Sequence, residues 1–220
     1  MTKPLEIHIE SGQLDVIGDD EVGEGRTGHV QLGHASAVKL VVSPETRLEV
    51  HAGTVELRVA GVSGVEAHID AGSVEAMDID GDVEIHADSA HIALDNVIGN
   101  VEIHADSGEV EALRIEGSVE ISCDSADITV QAASERVEIS ADSGDVVLDL
   151  APIGHAARYE VNSDSGAVTI RLPADVGVRA DLRSDSGEVL NDAADGEDVR
   201  LSVNTDSGDI TIVAGVPVFG

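Results

Sequence analysis

The segment Val-Glu-(Ile/Ala), followed by a polar residue, an apolar residue and an acidic turn, begins at Val65, Val83, Val101, Val119 and Val137, an interval of 18 residues four times running. The turn aspartate recurs with it at Asp70, Asp88, Asp106, Asp124 and Asp142, then at Asp164, Asp185 and Asp206, where the intervals widen to 22, 21 and 21. Earlier echoes are Leu5-Glu6-Ile7-His8-Ile9-Glu10 and the shorter Leu48-Glu49-Val50-His51-Ala52-Gly53. Self-similarity at a fixed period confines a chain to stacked-repeat architectures, because a unit this short cannot bury its own apolar face and stacking identical units can.

Each unit reads as two short strands. Val101-Glu102-Ile103-His104-Ala105 alternates apolar and polar residues, the two-residue period of a half-buried strand. Asp106-Ser107-Gly108-Glu109 is a turn, since Asp and Ser bond the local backbone and Gly tolerates positive φ. Val110 to Ile115 is the second strand, and Glu116-Gly117-Ser118 closes the coil. No segment keeps a 3.6-residue apolar period, so little helix is expected. A left-handed stack of three hexapeptides also has 18 residues per coil, but apolar residues do not recur at every sixth position. The expected fold is therefore an all-β, single-chain parallel β-solenoid of nine or ten coils, roughly 45 Å long at the strand spacing of about 4.8 Å. Three stretches divide it: N-terminal coils with an acidic Gly-rich loop over 1–47, the regular 18-residue repeat over 48–158, and longer coils with a cap over 159–220. Residues 18–28 and 191–198 stand out as insertions, and the apolar tail 216–220 is a candidate cap, with a partner-docking peptide as the alternative.

A narrow coil also explains the composition. There is one Tyr, one Phe and no Trp, yet 42% of residues are hydrophobic. Aliphatic side chains must then form a thin core, and this content is too high for a disordered acidic chain. Acidic residues number 44 against 12 basic ones, a net charge of −32. Such a field repels phosphate backbones and anionic lipid, which excludes nucleic acid as a partner class and favours basic proteins or cations. Adaptation to a salty interior is an equally good account of the charge. The single cysteine, Cys123, excludes an internal disulfide. With no secretion-type start and no run of about 18 apolar residues, the expectation is a cytoplasmic protein with no membrane insertion.

The repeated Asp-Ser-Gly-(Asp/Glu)-(Val/Ile) turns, at 142–146, 185–189 and 206–210, with the Gly81-Asp82-Val83 strand entry, resemble those of the bacterial adhesin-type β-strand-repeat family, related to the Toastrack and head-domain solenoids. The likeness covers roughly residues 48–212. It implies a right-handed β-helix-like solenoid with no catalytic residues, and members in adhesion or envelope-stress settings.

Five Glu-x-His pairs carry the most chemistry: Glu6/His8, Glu49/His51, Glu66/His68, Glu84/His86 and Glu102/His104. Residues two apart on a strand share a face. In register, Glu66, His68, Glu84, His86, Glu102 and His104 form adjoining columns that could ligate Zn²⁺ or respond to pH. The plain alternative is an outward polar face in which Glu is offset by His; Ser122, Ser140 and Asn162 stand at the same position in later coils. The column Asp88, Asp106, Asp124 and Asp142 could bridge Ca²⁺, although the Gly-Gly-x-Gly-x-Asp turn of calcium rolls is absent; alternatively these carboxylates bond turn amides.

Catalytic signals are weak. Gly23 to Gly28 matches the dinucleotide pattern by letters but leads into a strand-like segment instead of a helix. The recurrent serine lacks a singled-out base, and Cys123 occupies an inward position held elsewhere by Ala87, Ala105 and Ala141, where a thiol is inert. The function expected is a non-enzymatic scaffold or protein-interaction module, open to self-association. Its alternatives are a metal- or pH-responsive binder using the Glu-x-His face, and a polysaccharide-acting enzyme with a cleft built by the 18–28 or 191–198 loops.

Overall fold

The computed structural model describes residues 4–19, 28–152 and 157–215, and among them there is no helix. Seven long strands come first: β1 (Leu5–Gly18), β2 (Gly28–Val42), β3 (Arg47–Ala60), β4 (Gly64–Ile79), β5 (Val83–Ile98), β6 (Val101–Glu116) and β7 (Val119–Ser134). Coils divided into two shorter strands follow: β8 (Arg136–Ser143) then β9 (Val146–Pro152), β10 (Ala157–Ser165) then β11 (Val168–Leu172), and β12 (Gly177–Ser184) then β13 (Val189–Asn191). After the two-residue β14 (Ala194–Asp195), β15 (Val199–Ser207) and β16 (Ile210–Ala214) end the set. All pair in parallel, one coil on the next, as a β-solenoid with coils of about 18 residues.

Alternation along each strand sends every second side chain inward. Ile7, Val50, Ala67, Ile85, Ile103, Ile121, Ile139, Val161 and Val203 stand in one register and are all buried. Burying each such aliphatic side chain contributes about 1.5–3 kcal/mol, and the columns join into one apolar core from Leu5 to Ile212. Tyr159 enters this core in the register of Val137 and Leu201, fully buried, and its hydroxyl donates to the Ser134 carbonyl at 3.0 Å. Desolvation holds that phenol well above its ordinary pKa.

The coil differs from the two-strand reading where the corner is tightest. In β4 to β7 a single strand of 16 residues runs through the Asp-Ser corner, because backbone pairing continues on both sides of it, as in Ala87↔Ala105 and Ser89↔Ser107. The strand divides in the later coils, where the residue after the corner glycine bonds its amide to an Asp carboxylate of the neighbouring coil. The Asp145 amide donates to the Asp127 carboxylate at 2.9 Å, and the Ala167 amide to Asp145 at 2.8 Å, so a side chain replaces the carbonyl of the ladder. Glycine is required at that division. Gly144 has φ +117°, and a Cβ on it would sit 2.0 Å from the Ala126 carbonyl oxygen of the preceding coil. The turn aspartates Asp88, Asp106, Asp124 and Asp142 themselves are exposed. The Asp145, Ala167 and Glu188 amides bond to Asp127, Asp145 and Asp209 instead, and the Asp88, Asp124 and Asp142 backbone carbonyls accept from Ser107, Ser143 and Ser165 of the next coil at 3.2–3.3 Å.

Stacking order and chain order part company at both ends. The coil sequence runs β2-β1-β3-β4 at one end and β8-β10-β15-β12 at the other. The first coil and the last are thus each inserted between two neighbours: β1 between β2 and β3, β15 between β10 and β12, and β16 between β11 and β13. The sheet ends on β2 at one side and on the two-residue β14, laid against β12, at the other, and the inward residues of β2 (Val30, Leu32, Val38 and Leu40) are only partly buried. The 191–198 insertion lies along the second edge, where β14 pairs with Gly177 and Val178. Residues 20–27, which hold most of the acidic Gly-rich loop and the dinucleotide-like letters, and the tail 216–220 lie outside the described residues.

Candidate functional site

Even positions at the start of each coil point outward, so parallel in-register stacking turns a two-residue motif into two columns. One column reads Glu6, Glu49, Glu66, Glu84, Glu102, Glu120, Glu138 and Glu160; the other reads His8, His51, His68, His86, His104, Ser122, Ser140 and Asn162. The six residues expected from sequence, Glu66, His68, Glu84, His86, Glu102 and His104, stand side by side. Successive rings from His8 to His104 are stacked with centroids 4.8–5.0 Å apart and planes 2–18° from parallel. Within each coil the histidine Nε2 faces the glutamate of its own strand: 3.6 Å for His68–Glu66, and 3.1 Å for both His86–Glu84 and His104–Glu102. Side chains in these pairs are part-exposed, and a shallow groove of about 630 Å³ runs along His8, His51, His68 and His86.

At the β2 edge the motif is reversed. Strand β2 offers His29-Val30-Gln31, so His29 falls in the glutamate column opposite Glu6, and Gln31 falls opposite His8. Glu6 is then held from two sides, with His8 Nε2 at 2.7 Å and His29 Nδ1 at 3.4 Å. Its hydrogen bond with His8, followed by that with His29, holds the carboxyl below its ordinary pKa. The His29 ring is tilted 47° from that of His8, unlike the parallel rings farther along. Sequence reasoning missed His29 because it is not part of a Glu-x-His pair; only the β2–β1 register reveals it.

A second ladder was also missed. Arg136, Arg158, Arg200 and Arg179 occupy one register across β8, β10, β15 and β12. Arg158, Arg200 and Arg179 each directly follow the first buried residue of their strand, and Arg136 opens its own, so an Arg two residues before the outward polar position is the signal that could have found them. All four are exposed. Arg136 pairs with Glu138, and Arg179 lies 4.0 Å from Glu197. Arg158 and Arg200 make no ion pair among the described residues. Cys123 is buried between Ala105 and Ala141, and desolvation pushes its thiol from 9.0 to about 11.

No helix among the described residues is long and apolar enough to cross a membrane. Compared with family models, residues 3–213 match the one described as Toastrack DUF4097. No curated protein and no solved structure matches the chain.

Proposed function

Because the chain belongs to the Toastrack DUF4097 family, we propose that it is a non-enzymatic scaffold or protein-interaction module that self-associates side by side. The observation that carries this reading is the arginine ladder on a chain of net charge −32. Arg158 and Arg200 are exposed and adjacent, and neither has an ion-pair partner among the described residues. A glutamate column of a second copy repeats at the same strand spacing of about 4.8 Å. Each guanidinium of the ladder can therefore meet one carboxylate, and Arg suits that planar two-point contact better than Lys. The contact joins two different surfaces of the same molecule, so it is heterologous and propagates. The description of the matched family names no reaction, and repeating columns suit a binding surface better than a single catalytic constellation.

Light scattering over a range of protein concentration tests this. A mass that rises above 22.7 kDa with concentration, and returns to it in the Arg158→Glu/Arg200→Glu variant, supports the proposal. Association should be greatest at intermediate ionic strength. At about 0.01 M salt the net charge repels over about 30 Å, and at about 1 M the contacts themselves are screened within about 3 Å. A monomer under all conditions, or an assembly that ignores both arginines, overturns self-association through this face.

A further inference from the structure

We infer that the β2 end of the histidine ladder is a binding site for one divalent transition-metal ion of the Zn²⁺ type, with His8, His29 and Glu6 as protein ligands and a fourth position open to Glu49 or solvent. Ring orientation, and a histidine standing in the carboxylate column, separate this end from the rest of the ladder. Zn–N bonds are about 2.0–2.1 Å, so two nitrogens sharing an ion lie at most about 4.1 Å apart, and about 3.3 Å apart in a tetrahedron. From His8 to His104 successive rings lie only 2–18° from parallel and in register, so their lone pairs run along parallel lines and do not converge. Neighbouring imidazoles there cannot take one ion without leaving the stack.

At the β2 end the geometry changes because His29 stands in the carboxylate column. Glu6 reaches His8 at 2.7 Å and His29 at 3.4 Å, distances that bracket the tetrahedral value. The candidate ligand atoms of Glu6, His8 and His29 all lie within 4.8 Å of one another, as do those of Glu6, Glu49 and His51. The 47° tilt between His8 and His29 breaks the parallel alignment that the rest of the ladder keeps. Two imidazoles and a carboxylate select a borderline cation over Ca²⁺ or Mg²⁺, which take oxygen ligands. Such a site leaves one positive charge on a strongly negative chain, an arrangement the overall field favours. Because His29 belongs to the edge coil and Glu6 and His8 to the next, a bound ion fastens β2 to β1.

Isothermal titration of the full chain with Zn²⁺ is the test, with Co²⁺ absorption as a second readout of tetrahedral coordination. The expected result is one ion per chain, affinity reduced at least about tenfold in His29→Ala and in Glu6→Gln, and affinity unchanged in His104→Ala. Both weakened variants alter exposed or half-exposed side chains, and circular dichroism reports whether each stays folded. Zn²⁺ should also slow amide exchange in β2 of the wild type but not of His29→Ala. Absence of binding, wild-type affinity in both variants, or equal weakening by His104→Ala overturns the site.

Discussion

Raising the pH should remove stability through Cys123 before any other core group contributes. The thiol is 3% exposed, and folding moves its pKa from 9.0 to about 11 through desolvation. As pH rises the unfolded chain ionises its thiol first, so the stabilisation is complete below about pH 9 and lost as pH approaches 11. Treating the group as a single linked site, the loss is about 1.3 kcal/mol between pH 8 and pH 10 and about 2.3 kcal/mol by pH 11. For a chain of this length the first figure is a fall in Tm of about 3–5 °C. Cys123→Ala provides the control, because Ala105 and Ala141 fill the same register on either side. The substitution should cost about 1 kcal/mol at pH 8, toward the low end for a small core deletion, and should abolish the extra decline between pH 8 and pH 10. Thermal melts followed by circular dichroism at pH 8, 9 and 10 measure both. Parallel declines in wild type and variant would refute the argument that burial of this thiol sets the alkaline limit.

Tyr159→Phe keeps the ring and leaves the Ser134 carbonyl without its donor; about 1–2 kcal/mol should be lost, read as a Tm lower by about 2–8 °C. Ile103→Ala, in mid-stack, should cost about 2–5 kcal/mol by urea denaturation, whereas Leu32→Ala in the half-buried β2 edge should cost less than half as much. Raising ionic strength from about 0.01 to 0.15 M shortens the screening length from about 30 to 8 Å and should raise Tm, since carboxylates stacked coil upon coil repel; an unchanged Tm would show that this repulsion is already neutralised.

Much of the fold was legible because a solenoid repeats its reasons. The 18-residue interval placed Val83 over Val65 and Val101 over Val83, and the alternation of Val101 to Ala105 set which side chains face inward. The same arithmetic placed His68, His86 and His104 in one column. It failed where chain order and stacking order diverge. Nothing local in residues 5–42 says that β1 lies inside β2, so His29 could not be assigned a neighbour from sequence. The arginine ladder was hidden differently: Arg158 and Arg200 are 42 residues apart, across an excursion through β12. The corner, too, was misjudged, because whether a strand bends or breaks depends on Asp127 and Asp145 bonding to the next coil's amide, a contact between coils instead of within one.

The interleaving of the terminal coils gives the molecule a mechanical character that sequential stacking would lack. In a sequential stack, tension on a terminal strand peels a single ladder, one bond after another, like a zipper. Here tension entering β1 acts on a strand bonded on both sides, so it must slide against β2 and β3 together; tension on β15 meets β10 and β12 in the same way. Rupture then loads many bonds at once in shear, and the ends of the rod become clamps that resist unravelling under load.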